Sequence, residues 1–324
     1  MPESVAIKPE RRVQPIFRIL KVLQMLVLAG LIVAAHGLFL HLPNRVERGR
    51  SVSALTVRPV ALRGDFHPFR LAGAWNLTSS DPRFGGFSGL AIDRGQLLAI
   101  NDIGSVAWFA KPDLERSTVM MTELPGGPGN GHFKAGRDSE AIAADPFGRG
   151  WWVSFERANQ LWLYDRDFSR ALRRIRFGWG RWPVNQGIEG LVSDRSGHLL
   201  FAEGEERIYR VKGAQPVPFA VTGKQGPFSE AARLPDGRLI GLERSLTWSG
   251  FRNALIFVHE AQDRYTIVSR TSLPLGPFDN MEGLAAERLA SGATRLWMIA
   301  DDNFERPQRT LLLALDLPPG GGGR

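Results

Sequence analysis

Ile188-Glu189-Gly190-Leu191-Val192-Ser193-Asp194, followed shortly by Leu199-Leu200-Phe201-Ala202-Glu203, is the passage on which the fold turns. It reads as two short strands joined by a turn, with an acid opening the first strand and another closing the second. The opening phrase recurs as Phe87-Ser88-Gly89-Leu90-Ala91-Ile92-Asp93 and Ser139-Glu140-Ala141-Ile142-Ala143-Ala144-Asp145. It returns as Ser229-Glu230-Ala231-Ala232-Arg233-Leu234 and Met281-Glu282-Gly283-Leu284-Ala285-Ala286-Glu287. Counted from Ser88, Glu140, Glu189, Glu230 and Glu282, the copies stand 52, 49, 41 and 52 residues apart. Self-similarity at such a period marks a radial or solenoid array.

Every copy has its second strand. These are Leu97-Leu98-Ala99-Ile100-Asn101-Asp102, Trp151-Trp152-Val153-Ser154-Phe155-Glu156-Arg157, Arg238-Leu239-Ile240-Gly241-Leu242-Glu243-Arg244 and Leu296-Trp297-Met298-Ile299-Ala300-Asp301-Asp302. In an antiparallel hairpin the start of one strand lies beside the end of the next. Both acids of a unit therefore fall at one edge of the sheet, and the repeats predict a ring of carboxylates on one face.

Two more strand-like runs follow within a unit, for example 160–165 with 171–177, or 254–258 with 264–268. Four strands in a repeat of about 40–50 residues make a propeller blade. No part of the repeat region sustains a 3.6-residue period, which argues against a helical solenoid. The expected fold is all-β, a β-propeller of four-stranded blades spanning 54–317. The last unit supplies only three strands, and the run 69–77 precedes the first unit. Closing the last blade with that early strand removes a long exposed edge. Five copies argue for five blades, while a further strand around 54–62 leaves room for a sixth.

Residues 22–42 are almost uninterrupted apolar sequence, about the 20 residues needed to span a bilayer. Lys8, Arg11, Arg12, Arg18 and Lys21 precede it, which places the N-terminus in the cytoplasm by the positive-inside rule. The expectation is a basic cytoplasmic tail (1–21), a single-pass inner-membrane helix (22–42), a linker (43–53), a periplasmic propeller and a flexible tail (318–324). A cleaved signal segment, giving a secreted protein, is the rival. The formal charge is +8; five basic and two acidic residues precede position 43, leaving +5 for the rest. No basic run is interleaved with aromatics, which argues against nucleic acid. The chain has no cysteine, so disulfides, thiolate metal sites and a Cys nucleophile are excluded.

The chemistry on offer is carboxylate chemistry. Glu140, Glu189, Glu230 and Glu282 open the first strands and are the expected metal ligands. Glu156, Glu203, Glu243 and Asp301, at the second-strand ends, are the expected catalytic acids or bases. Oxygen donors in that number suit Ca²⁺, with Mg²⁺ as the alternative, rather than zinc. Crowded like charges raise one another's pKa, and a cation relieves this. Acids at strand ends also cap backbone N–H groups or pair with arginines, and repeats copy such habits without function.

Lys134, Arg137, Arg157 and Arg244 are the expected grip on an anionic small-molecule substrate. Arg157 and Arg244 follow Glu156 and Glu243 directly, as if at matching places in two blades. Trp151, Trp152, Trp162, Trp248 and Trp297 sit in strand patterns and read mostly as core. No Ser lies in a G-x-S-x-G elbow and no Walker loop is present.

Arg137-Asp138-Ser139-Glu140-Ala141, Phe155-Glu156-Arg157 with 161–165, Gly187-Ile188-Glu189-Gly190-Leu191, and Asn280-Met281-Glu282-Gly283-Leu284 with Ala300-Asp301-Asp302-Asn303 together resemble the bacterial phytase-like family. That family is described as having esterase-like activity. The resemblance spans roughly 54–317. It implies an exported propeller that hydrolyses phosphate or carboxylic esters. The alternatives are an envelope module that binds a protein or glycan without turnover, or a metal-dependent lactonase.

Overall fold

The computed structural model describes residues 49–321 apart from 113–116, 178–186 and 214, together with five helical positions between 23 and 30. The expected tail (1–21) and final residues (322–324) lie outside the described residues, as does the apolar stretch 22–42 but for those five positions. No described helix is long and apolar enough to cross a membrane.

The chain is all-β, with strands numbered in chain order. It opens with β1 (Ser51–Pro59), three residues of which fall in the expected linker, and β2 (Arg70–Ser79). Blade I is β3 (Phe87–Asp93), β4 (Gln96–Asn101), β5 (Ser105–Phe109) and β6 (Thr118–Glu123). Blade II is β7 (Ser139–Ala144), β8 (Gly150–Phe155), β9 (Gln160–Asp165) and β10 (Ala171–Arg176). Blade III is β11 (Ile188–Asp194), β12 (Gly197–Ala202), β13 (Arg207–Lys212) and β14 (Gln215–Thr222). Blade IV is β15 (Phe228–Arg233), β16 (Leu239–Thr247), β17 (Gly250–Glu260) and β18 (Arg264–Leu273). Blade V is β19 (Asn280–Arg288), β20 (Thr294–Asp301) and β21 (Thr310–Leu317), completed by β2.

The early strand therefore seals the last blade, pairing antiparallel with β21. The inner strands β3, β7, β11, β15 and β19 touch one another in cyclic order, which fixes five blades around one axis. The run at 54–62 is not a sixth blade. As β1 it pairs with β2 on one side and β6 on the other, tying the outer edges of blades V and I together. Blades III and IV are joined similarly, by parallel pairing of β14 with β18.

The apolar core is divided among the five seams between neighbouring blades. Leu90 and Ile299 meet at the V–I seam, Ile100 and Trp151 at I–II, and Trp152 and Leu200 at II–III. Phe201 and Phe228 pack edge to face at 5.2 Å between III and IV. Near the axis every seam is also crossed by a hydrogen bond involving a side chain. Ser139 Oγ donates to Asn101 O, Ser154 Oγ to Ile188 O and Ser229 Oγ to Met281 O. The Leu191 N–H donates to Glu230, and the Gly86 N–H to Asp302. With few contacts that can shift independently, this frame holds the axial side chains at fixed places.

Candidate active site

Each inner strand carries a register shift at the same height. It falls between Phe87 and Gly89, Ser139 and Ile142, Ile188 and Gly190, Phe228 and Glu230, and Met281 and Gly283. A bulge re-aims one side chain out of the normal alternation. The residues inside the five shifts that correspond to one another are Ser88, Glu140, Glu189, Ser229 and Glu282. The second strands end in a matching set, fixed by one repeated backbone bond. The N–H groups of Asp102, Glu156, Glu203 and Arg244 donate to the carbonyls of Gly86, Asp138, Gly187 and Pro227, and Asp301 pairs with Asn280.

These positions open on one axial cavity of about 450 Å³. Among the described residues its lining holds eight carboxylates (Asp102, Asp138, Glu140, Glu156, Glu189, Glu203, Glu282 and Asp301) and three cations (Lys134, Arg157 and Arg244). The carboxylates crowd together. On the side of blades II and III, ligand atoms of Asp138, Glu140 and Glu156 lie within 4.8 Å of one another, as do those of Glu156, Glu189 and Glu203. Glu156 belongs to both groups. The carboxylates of Glu140 and Glu189 are 8% and 6% exposed, and no described donor hydrogen-bonds to either.

The cations sit around this cluster rather than inside it. Lys134, from the one-turn helix Lys134–Gly136, pairs with Asp102 and lies 3.7 Å from Asp138. Arg157 Nε donates to Asp138 at 2.8 Å. Arg244 pairs with Glu282, donates to Asn280 Oδ1 at 2.7 Å and lies 3.6 Å from Glu203. Asn280 Nδ2 donates to Glu282 at 2.9 Å, and the Asn303 N–H donates to Asp301 at 2.6 Å.

Burial and crowding push the carboxyls up. Burial, reinforced by Asp138 and opposed by Arg157, raises Glu156 to about 8. Burial lifts Asp102 to about 6 against the pull of Lys134. Glu140 and Glu189 lie well above the usual carboxyl range, from burial first and neighbouring carboxylates second. Burial raises Asp301, helped by Glu282, and raises Glu203, opposed by Arg244. For Lys134 and Arg244 burial acts in the opposite sense, but the surrounding carboxylates outweigh it and keep both charged. A cavity with these properties takes up protons or binds a cation.

Nine of the twelve expected site residues line the cavity: Glu140, Glu156, Glu189, Glu203, Glu282, Asp301, Lys134, Arg157 and Arg244. The other three expected site residues lie elsewhere. Glu230 does not line the cavity. The shift in β15 falls on Ser229, so Glu230 stands where other blades have Gly89, Ala141, Gly190 and Gly283. It points into the III–IV seam, where Oε1 accepts from the N–H groups of Ala231 and Leu191 at 2.9 and 3.2 Å. Burial raises its pKa well above normal, against those two bonds.

Glu243 is displaced by the same offset. It matches Phe155, not Glu156, and its carboxylate pairs with Arg270 in a lateral pocket. Arg244 therefore occupies the place of Glu156 rather than that of Arg157. Arg137 also faces away. Its guanidinium donates to the carbonyls of Pro128 and Gly136 at 2.6 and 2.9 Å, bracing the loop that leads into β7. Trp248, expected in the core, is 98% exposed.

Asp138, Asn280 and Asn303 join the site without having been singled out for a role. Asp138 and Asn280 share one blade position, two residues before Glu140 and Glu282, and both stood in the quoted phrases. Asn303 followed Asp301-Asp302 in the sequence but carried no repeat signal.

Among solved structures, the chain is similar to a glutaminyl cyclase from Myxococcus xanthus, with 14% identity and a TM-score of 0.50, covering 81% of this chain and 99% of that one. It is also similar to a virginiamycin B lyase from Staphylococcus aureus, with 12% identity and a TM-score of 0.40, covering 76% and 70%. At such identities the likeness extends to the fold alone. No curated protein matches the chain in sequence. The family model phytase-like, described as esterase-like activity of phytase, matches residues 82–304 and so takes in all five acid phrases. The chain belongs to the phytase-like family.

Proposed function

We propose that the protein is a cation-dependent hydrolase of an ester, phosphoric or carboxylic, working in the axial cavity. The observation that carries this reading is the pair of carboxylate triads sharing Glu156, whose buried members Glu140 and Glu189 have no described hydrogen-bond donor. Buried carboxylates need either a proton or a cation. Oxygen donors alone, in this number, fit Ca²⁺ or Mg²⁺. Asp138, Glu140, Glu156, Glu189 and Glu203 would hold the ion. Bound there, it would polarise the ester oxygen and acidify the attacking water.

The chain's own groups divide the remaining work. Glu156 and Glu203 are placed to accept a proton from water. Lys134, Arg157 and Arg244 are all engaged by carboxylates, so they fix the cavity's shape and charge more than they meet a new anion unaided. An anionic substrate is therefore compatible with this cavity chiefly when a cation is also present. The apolar stretch 22–42, preceded by five basic residues, supports a single-pass inner-membrane anchor with the propeller in the periplasm.

The test is turnover by the full-length protein, with Ca²⁺, with Mg²⁺ and after chelation. Phosphate release from phytate is followed beside hydrolysis of a chromogenic carboxylic ester and a lactone. Cation-dependent turnover of one of them is expected. Calcium raising the melting temperature with no turnover of any would replace this reading with a binding module.

A further inference from the structure

Among the described residues, the cavity lining has a single apolar side chain, Leu246. It comes from the one second strand that runs past the rim. In blades I, II and III the second strand stops at Asn101, Phe155 and Ala202, one residue before the cavity position. In blade IV, β16 passes Arg244 and continues to Thr247, paired with β17 through Leu246–Phe251 and Thr247–Gly250. Three further residues carry this hairpin about 10 Å beyond Arg244, at ~3.3 Å per residue. Strand alternation puts Leu246 on the same face as Arg244, toward the axis.

The turn at the tip is Trp248-Ser249. Leu246 is 73% exposed and Trp248 98%. The hairpin is anchored below: the Phe251 N–H donates to Pro277 O at 2.9 Å, and any side chain at Gly250 would collide with Pro277.

A second apolar group is held at the rim by unusual backbone. Asn303 and Phe304 both adopt left-handed conformations, φ 49° and 53°, which for a bulky residue such as Phe signals a constraint imposed by its surroundings. Asp301 and Asp302 fix them by accepting from their N–H groups at 2.6 and 3.1 Å. The Phe304 ring lies over Gly86, where a Cβ would come within 2.3 Å of it. The same short loop presents Asn303 to the cavity. Leu246 lines the cavity, Trp248 stands two residues beyond it and Phe304 beside the lining residue Asn303; exposed apolar side chains so placed around a polar cavity are a binding feature rather than a packing one.

We propose that Leu246 and Trp248, with Phe304 on the neighbouring blade, bind the non-reacting apolar portion of the substrate. The substrate class is then an amphiphilic ester: a polar ester group on the carboxylate floor and an alkyl or aryl group against the hairpin. This rests on the hydrolase reading for its chemistry but not for its binding. Each methylene buried against such a lip tightens binding about fourfold.

Two measurements on the full-length protein separate the claims. The first compares Ca²⁺-supported hydrolysis of p-nitrophenyl acetate, butyrate and octanoate. The second compares binding of methylphosphonate and octylphosphonate by calorimetry. Wild type should favour the octyl member by about tenfold or more in both. In Leu246→Ser/Trp248→Ser, whose altered residues are exposed and do not support the core, the octyl-to-methyl ratio should fall to near one. A ratio near one in wild type, or one that survives the double substitution, overturns the proposal. If no ester turns over but the phosphonate preference is present and lost in the variant, the hydrolase reading fails and this inference stands.

Discussion

Blades III and IV are built on the same plan and carry opposite charge at the axis. Blade III presents Glu189 at the inner-strand bulge and Glu203 at the end of its second strand; blade IV presents Ser229 and Arg244 at the same two places. Where blade III has Gly190, blade IV has Glu230, directed into the seam rather than the cavity. The scaffold thus fixes positions, and each blade's side chains decide whether a position contributes a cavity carboxylate, a counter-charge or a seam contact. A carboxylate count made by repeat would have given both blades the same role.

The largest effect should come from removing blade III's contribution. Glu189→Gln, or Glu156→Gln in blade II, should weaken Ca²⁺ binding at least about 100-fold and reduce turnover comparably or more. Either variant binding Ca²⁺ like wild type would break the contrast between the carboxylates of blades II and III and the Ser229–Arg244 pair of blade IV.

Removing blade IV's counter-charge comes next. Arg244→Met leaves Glu282 without its ion pair and Asn280 without a partner for its carbonyl oxygen. Breaking a buried pair from one side costs about 3 kcal/mol or more. Chemical denaturation of the chelated protein should show that loss, and added Ca²⁺ should recover part of it.

Acidity sharpens the comparison further. In the chelated protein, Glu140, Glu156, Glu189, Glu203, Asp102 and Asp301 all have folded pKa values above their unfolded ones. The folded state then holds more protons than the unfolded chain. Stability is fully present below the unfolded carboxyl pKa of about 4 and declines as pH rises. The decline should run through the values of about 6 at Asp102 and about 8 at Glu156. Melting temperatures from acid to mildly alkaline pH should trace it, and saturating Ca²⁺ should flatten the curve. A chelated protein that gains stability with rising pH would contradict the crowding.

The smallest effect belongs to Glu230. Glu230→Gln keeps an acceptor for the Leu191 and Ala231 N–H groups and mimics the protonated carboxyl. Stability near neutral pH should stay within about 1 kcal/mol of wild type, and Ca²⁺ affinity should not move. A large loss of Ca²⁺ affinity would return Glu230 to the ligand set.

What the sequence made legible follows from its periodicity. Acid–small–apolar phrases at a regular spacing identified the inner strands, the hairpin rule put both acids at one end, and the stray strand 69–77 implied closure. The departures in blade IV share one cause. Ser229-Glu230-Ala231 looks like Ser139-Glu140-Ala141, and Glu243-Arg244 looks like Glu156-Arg157, yet cross-strand pairing places blade IV one residue out of step. In a strand, a one-residue offset turns a side chain to the opposite face. Glu230 and Glu243 left the cavity for that reason, and Arg244 entered it at an acid's place. Trp248 was misread because Leu246-Thr247-Trp248 continues a strand pattern into a two-residue turn. The conformation of Phe304 depends on Asp302 and on Gly86, distant in sequence, and nothing local announces it.

The central claim is that the carboxylate triads around Glu156 bind a divalent cation. The most direct measurement is a calorimetric titration of Ca²⁺ into the chelator-treated, full-length protein, run beside Glu156→Gln. Saturable binding by wild type, lost or weakened by orders of magnitude in the variant, is the predicted result. No binding by wild type, or equal binding by both, would contradict it.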